Sequence, residues 1–114
     1  MPKTSITLGG QARTLRFDMN ALAELEGALH FTMAEIGSRF KKGRFGTRDI
    51  RALVWTGLLH QDEDVTIRQV GDWLTDAGFL KDEKTRDNLL EQVFEALAES
   101  FPEAAKDAEA VDPN

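Results

Sequence analysis

The sequence predicts a mainly α fold in which an N-terminal β-hairpin is followed by a compact array of four to five short helices. Three observations carry that expectation. Ile6, Leu8, Leu15 and Phe17 alternate at period two on either side of Gly9-Gly10, the pattern of two half-buried strands joined by a tight turn. Beyond Asp18 the apolar residues recur instead at spacings of three and four. Thr32 with Glu35, and Thr66 with Gln69, have the spacing at which two side chains reciprocally satisfy the free N–H groups of a helix start.

Taken in order, the hairpin runs from Thr4 to Phe17, because paired glycines tolerate the positive φ of a two-residue turn. Two strands alone are marginal, so their apolar face must lie on helices. Asp18 is a candidate cap for a first helix from about Met19 to Leu29, with Leu22, Leu25 and Leu29 as its stripe. Thr32 opens a second helix carrying Met33, Ile36 and Phe40, which runs out at Lys42-Gly43. Thr47 is read as the cap of a third, reaching about His60. Ile50, Leu53, Val54, Gly57 and Leu58 fall on one side of it; Ala52, Trp55 and Leu59 project to another. A helix apolar on two sides is either central in the fold or shared with another chain. Thr66 opens a fourth helix with Ile67, Val70, Trp73, Leu74 and Ala77, ended by Gly78. The last runs from about Asp82 to Ser100, stopped by Pro102.

One core suffices for 114 residues, so residues 1–101 are expected to form a single domain. Residues 102–114 are acidic and poor in large apolar side chains, which predicts a frayed or disordered tail. The absence of cysteine excludes disulfides, thiolate metal sites and thiol nucleophiles, and fits a reducing cytoplasm. No apolar run approaches the roughly 20 residues of a membrane helix, and no signal-peptide core follows Met1.

Catalytic and metal chemistry finds little to work with. His30 and His60 stand thirty residues apart at two helix ends, where binding to terminal helix carbonyls is the simpler reading. His60-Gln61-Asp62-Glu63-Asp64 concentrates oxygen ligands without the order that wraps calcium or the second histidine that zinc needs. Gly43-Arg44-Phe45-Gly46 lacks the length and the Lys-Ser/Thr ending of a phosphate loop. No enzyme, no cofactor and no metal are expected.

Charge is more informative. The chain totals −6, but Arg39, Lys41, Lys42, Arg44, Arg48 and Arg51 surround one acid, Asp49, so a +5 segment sits on a −11 body. Interleaved with Phe40 and Phe45, that segment suits phosphates and bases, giving a second reading as a small nucleic-acid-binding regulator. An acidic body opposes it. Lys41, Lys42, Arg44, Arg48 and Arg51 suit an acidic protein surface instead, including that of a second copy. The candidate protein-binding or self-association residues are Trp55, Leu59 and Ala52 on the second face of the third helix, with Trp73 and Phe79. A single core can also absorb both indoles.

The ordered set from the Gly-Gly hairpin through Leu15-Arg16-Phe17-Asp18-Met19-Asn20-Ala21-Leu22-Ala23-Glu24-Leu25-Glu26, then Arg48-Asp49-Ile50-Arg51-Ala52-Leu53-Val54-Trp55-Thr56-Gly57-Leu58-Leu59-His60 and Asp64-Val65-Thr66-Ile67-Arg68-Gln69-Val70-Gly71, resembles the tail assembly chaperones of long-tailed bacteriophages, prophages and gene transfer agents. It spans roughly Ile6 to Leu74. The resemblance implies a non-enzymatic cytoplasmic factor that binds the tape-measure protein, helps recruit tail-tube subunits, self-associates, and is absent from the mature particle. It supplies no catalytic residue. A third reading is an adaptor that merely bridges proteins.

Overall fold

The structure is a computed structural model that describes residues 5–101. The acidic tail expected over residues 102–114 lies outside the described residues. Strand β1 (Ser5–Leu8) pairs antiparallel with β2 (Gln11–Thr14), Ser5 opposite Thr14 and Leu8 opposite Gln11. Gly9 and Gly10 at φ +60° and +77° make the turn, the conformation that strand twist favours and glycine alone adopts without strain. The expected hairpin is present but its second strand stops at Thr14. Leu15 and Phe17 keep the alternation and stay buried, while the Arg16 N–H leaves the ladder to donate to Gly57 O of the third helix at 2.9 Å.

Among the described residues five helices follow: α1 (Met19–Leu29), α2 (Met33–Lys42), α3 (Thr47–Leu58), α4 (Ile67–Asp76) and α5 (Glu83–Ser100). The Asp18 carboxylate accepts from Ala21 N–H, and both expected capping boxes form, Thr32 with Glu35 and Thr66 with Gln69. Thr47 is not the cap of α3. Gly46 takes that place, and Asp49, largely buried, accepts the Gly46 N–H at 2.8 Å. A glycine has no side chain to cap with, so only the returning half of the box exists. The helix also closes at Leu58, short of His60.

Helix α3 is the centre of the molecule. It packs against α1, α4, α5 and β2, which buries Ile50, Ala52, Leu53, Val54, Gly57 and Leu58 together. The central position accounts for the buried residues of α3, while Trp55 on its second face and Leu59 just beyond its end remain partly exposed. Thr56, fully buried, satisfies its hydroxyl on Ala52 O and Leu53 O. Gly57 lets the hairpin exit cross the helix closely: a Cβ there would stand 3.0 Å from Leu15 and 3.2 Å from Phe17, so those side chains would have to give way. Phe40 and Phe45 pack on Phe94 of α5 at centroid distances of 5.8 and 6.0 Å, which spends on the core the two rings that could stack on bases.

Helices α1 and α3 run antiparallel. Arg48 at the start of α3 donates to Ala28 O at the end of α1, 3.4 Å away, and the opposite ends meet around Asn20, Glu24 and Trp55.

Candidate interaction groove

Where α1 begins and α3 ends, the two helices leave an open groove of about 670 Å³. Ala21, Ala23, Trp55 and Leu59 supply its apolar lining; Asp18, Glu24 and Glu63 bring three carboxylates, and Asn20 and His60 complete it. No lysine or arginine is among these lining residues. The groove therefore combines an apolar lining with an acidic one.

Local hydrogen bonding fixes that shape. Trp55 is half-buried, and its Nε1–H donates to Val65 O at 2.9 Å, so the indole is pinned by the loop that leads to α4. His60 donates from Nε2 to Thr14 O at 2.9 Å, and the Thr14 N–H donates to Gln61 Oε1 at 3.0 Å. The imidazole thus fastens the end of α3 to the hairpin, a tertiary tie in place of the helix-carbonyl contact expected from sequence. His30 takes a different role, ending α1 at φ +59° with its own N–H on Glu26 O.

The sequence-derived interaction residues separate into three groups. Trp55 and Leu59 share the groove. Ala52 and Phe79, at 1% and 7% exposure, lie in the core: Ala52 is enclosed with α3, and Phe79 reaches the surface only in the lining of a small groove beside Leu80. Trp73 is half-buried under the hairpin turn, with the Arg13 guanidinium 4.2 Å over its ring and Gly9 so close that a Cβ would stand 2.6 Å from Cε2. Arg13 in turn donates from Nε to Leu8 O at 2.8 Å. That indole seats the hairpin.

The exposed large apolar side chains among the described residues are Met19 (74%), Leu80 (62%) and Met33 (42%); neither methionine is among the sequence-derived candidates. For Leu80 the signal was its place beside Phe79 after the Gly78 turn, since only one of two adjacent side chains turns inward there. Leu80 borders a second, smaller groove of about 290 Å³, where Ile50 and Leu74 are flanked by Arg51 and Arg68.

The basic segment does not form one continuous patch. Arg39 stacks over Phe31 at 4.1 Å, Arg48 reaches Ala28 O, and the methylene stem of Arg51 leans on Gly71 of α4. Lys42, Arg44 and Arg48 are exposed, and Arg48 stands at the end of the α1–α3 pair opposite the groove. Among the described residues no three histidine, aspartate or glutamate side chains gather as a metal site, and no helix is long and apolar enough to cross a membrane.

Comparison with known proteins connects this architecture to phage tails. The family described as phage tail tube protein, GTA-gp10, matches residues 2–96. No curated protein and no solved structure gives a match. The resemblance noted in the sequence thus holds at the level of phage and gene-transfer-agent tails, and the matching family carries the name of the tube. With a match that covers hairpin, α1 to α4 and most of α5, the chain belongs to the phage tail tube protein, GTA-gp10 family.

Proposed function

We propose that this protein is a non-enzymatic assembly factor for the tail: it binds the tape-measure protein, helps recruit tail-tube subunits, works in the cytoplasm of the bacterial host and does not remain in the finished particle. The observation that carries this reading is the small amount of apolar surface left outside. A permanent wall subunit must bury large, strongly apolar faces against its neighbours, typically 2,000 Å² or more per obligate interface. Here the exposed large apolar side chains of the described residues are three, placed on α1, on α2 and after α4, and the strands are four residues each. Such a surface suits contacts that form and are released. The acidic body keeps a complex with an apolar helical client dispersed.

A second reading, a tube subunit that stays in the tail, is favoured by the name of the matching family. Two measurements separate them. Co-expression with the tape-measure protein should move that client into the soluble fraction, and mass spectrometry of purified particles should find the tube protein and lack this chain. Stoichiometric recovery of this chain from finished tails would establish the tube reading and sink the chaperone one.

A further inference from the structure

The groove between the start of α1 and the end of α3 sets an indole beside negative charge. Trp55 and Leu59, both partly exposed, line it together with Asp18, Glu24 and Glu63. Val65 O holds the Trp55 Nε1–H at 2.9 Å, so the ring keeps its place whether or not anything lies against it. Asp18 spends Oδ1 on the Ala21 N–H at 2.9 Å, whereas Glu24 and Glu63 are exposed and make no ion pair among the described residues. Arg16, two residues before Asp18, does not line the groove. The chain's own residues complement this surface poorly. Arg13 lies over Trp73 with its Nε on Leu8 O, Arg39 lies over Phe31, Arg48 reaches Ala28 O, and Arg86 holds Phe79 O. Residues 102–114 carry four acids against Lys106, so their charge repeats that of the groove.

We infer that the groove receives a helix of another protein whose apolar stripe is flanked by lysine or arginine. The stripe lies on Trp55 and Leu59, and the flanking cations reach Glu24 and Glu63 along stems that themselves cover apolar surface. A cation beside the indole gains ring attraction as well as the pairing with the carboxylates. The inference rests on the assembly reading for the source of that helix and adds a selection rule to it: charge, beyond apolarity alone, decides which stretch of a client is taken up. The pairing is salt-sensitive, since its charges are exposed and screened over about 10 Å at about 0.1 M salt and about 3 Å at about 1 M.

Isothermal titration of the full chain with two synthetic helices tests it. Both carry the same leucine stripe, flanked in one by lysines and in the other by glutamates. The parent should bind the lysine-flanked helix about tenfold more tightly than the other and lose that preference in about 1 M salt. A variant with Glu24→Lys and Glu63→Lys should reverse the preference. Both positions are exposed, so its circular dichroism and thermal midpoint should match the parent. The inference is overturned by equal binding of the two helices, by binding of neither, or by a double variant that still prefers lysine. Co-expression separates it from the assembly reading. A double variant that keeps a tape-measure client as soluble as the parent does sinks the groove and leaves the assembly reading standing. A parent that takes up the lysine-flanked helix but leaves the client insoluble does the reverse.

Discussion

The two tryptophans occupy comparable positions, each half-buried on a helix near the hairpin side of the molecule, yet their surroundings give them different work. Trp73 lies between a glycine turn that approaches within a Cβ radius and an arginine whose own Nε is committed to Leu8 O. Trp55 has one edge hydrogen-bonded to Val65 O and the rest of its ring in a groove with three carboxylates. A partly exposed aromatic ring is structural when backbone and cation already cover it. It is available to a partner when only open space and charge lie beside it.

That contrast can be broken at either tryptophan. The largest expected effect is from Trp73→Ala, which removes the seat of the hairpin and leaves Arg13 over a void, at a cost of about 3 kcal/mol in urea unfolding. If Trp73→Ala proved nearly neutral, the hairpin would not depend on that ring. Gly9→Ala should follow at about 2 kcal/mol, combining a positive φ with a Cβ driven into the indole. Trp55→Phe is milder: it keeps a ring in the groove and leaves Val65 O without its donor, so about 1 kcal/mol is expected from thermal melts. A loss comparable to that of Trp73→Ala would place Trp55 in the load of the fold and weaken its role as a contact surface. The smallest effect has the opposite sign. His30→Gly should gain about 0.5 kcal/mol, because glycine adopts the left-handed cap at φ +59° without the cost borne by histidine.

Much of the fold was legible because local chemistry and periodicity agree. Gly9-Gly10 between alternating residues, and the Thr32/Glu35 and Thr66/Gln69 pairs, state turns and helix starts that depend on neighbours within four residues. The start of α3 was misplaced by one residue because a cap without a side chain leaves no hydroxyl to read. The site was legible in part. Trp55 and Leu59 were found from the second face of α3, but the acids Asp18 and Glu24 come from α1, more than thirty residues away, and only the antiparallel packing brings them alongside. The same spacing argument put Ala52 on that second face and left Trp73 open between core and interface, since periodicity assigns a residue to a face without telling what covers that face. Ala52 disappeared under the packing of α3, and Trp73 under the hairpin. Likewise the basic run was evident as a run, whereas the place of Arg48 at the end opposite the groove follows from its contact with Ala28 O.

The most direct measurement compares two single-tryptophan proteins, Trp73→Phe reporting Trp55 and Trp55→Phe reporting Trp73, by emission wavelength and acrylamide quenching across a titration with the lysine-flanked helix. The account predicts that Trp55 shifts to the blue and becomes protected as the helix binds, while Trp73 emission stays constant. A Trp55 signal that is indifferent to the helix, or a change on titration confined to Trp73, would contradict it.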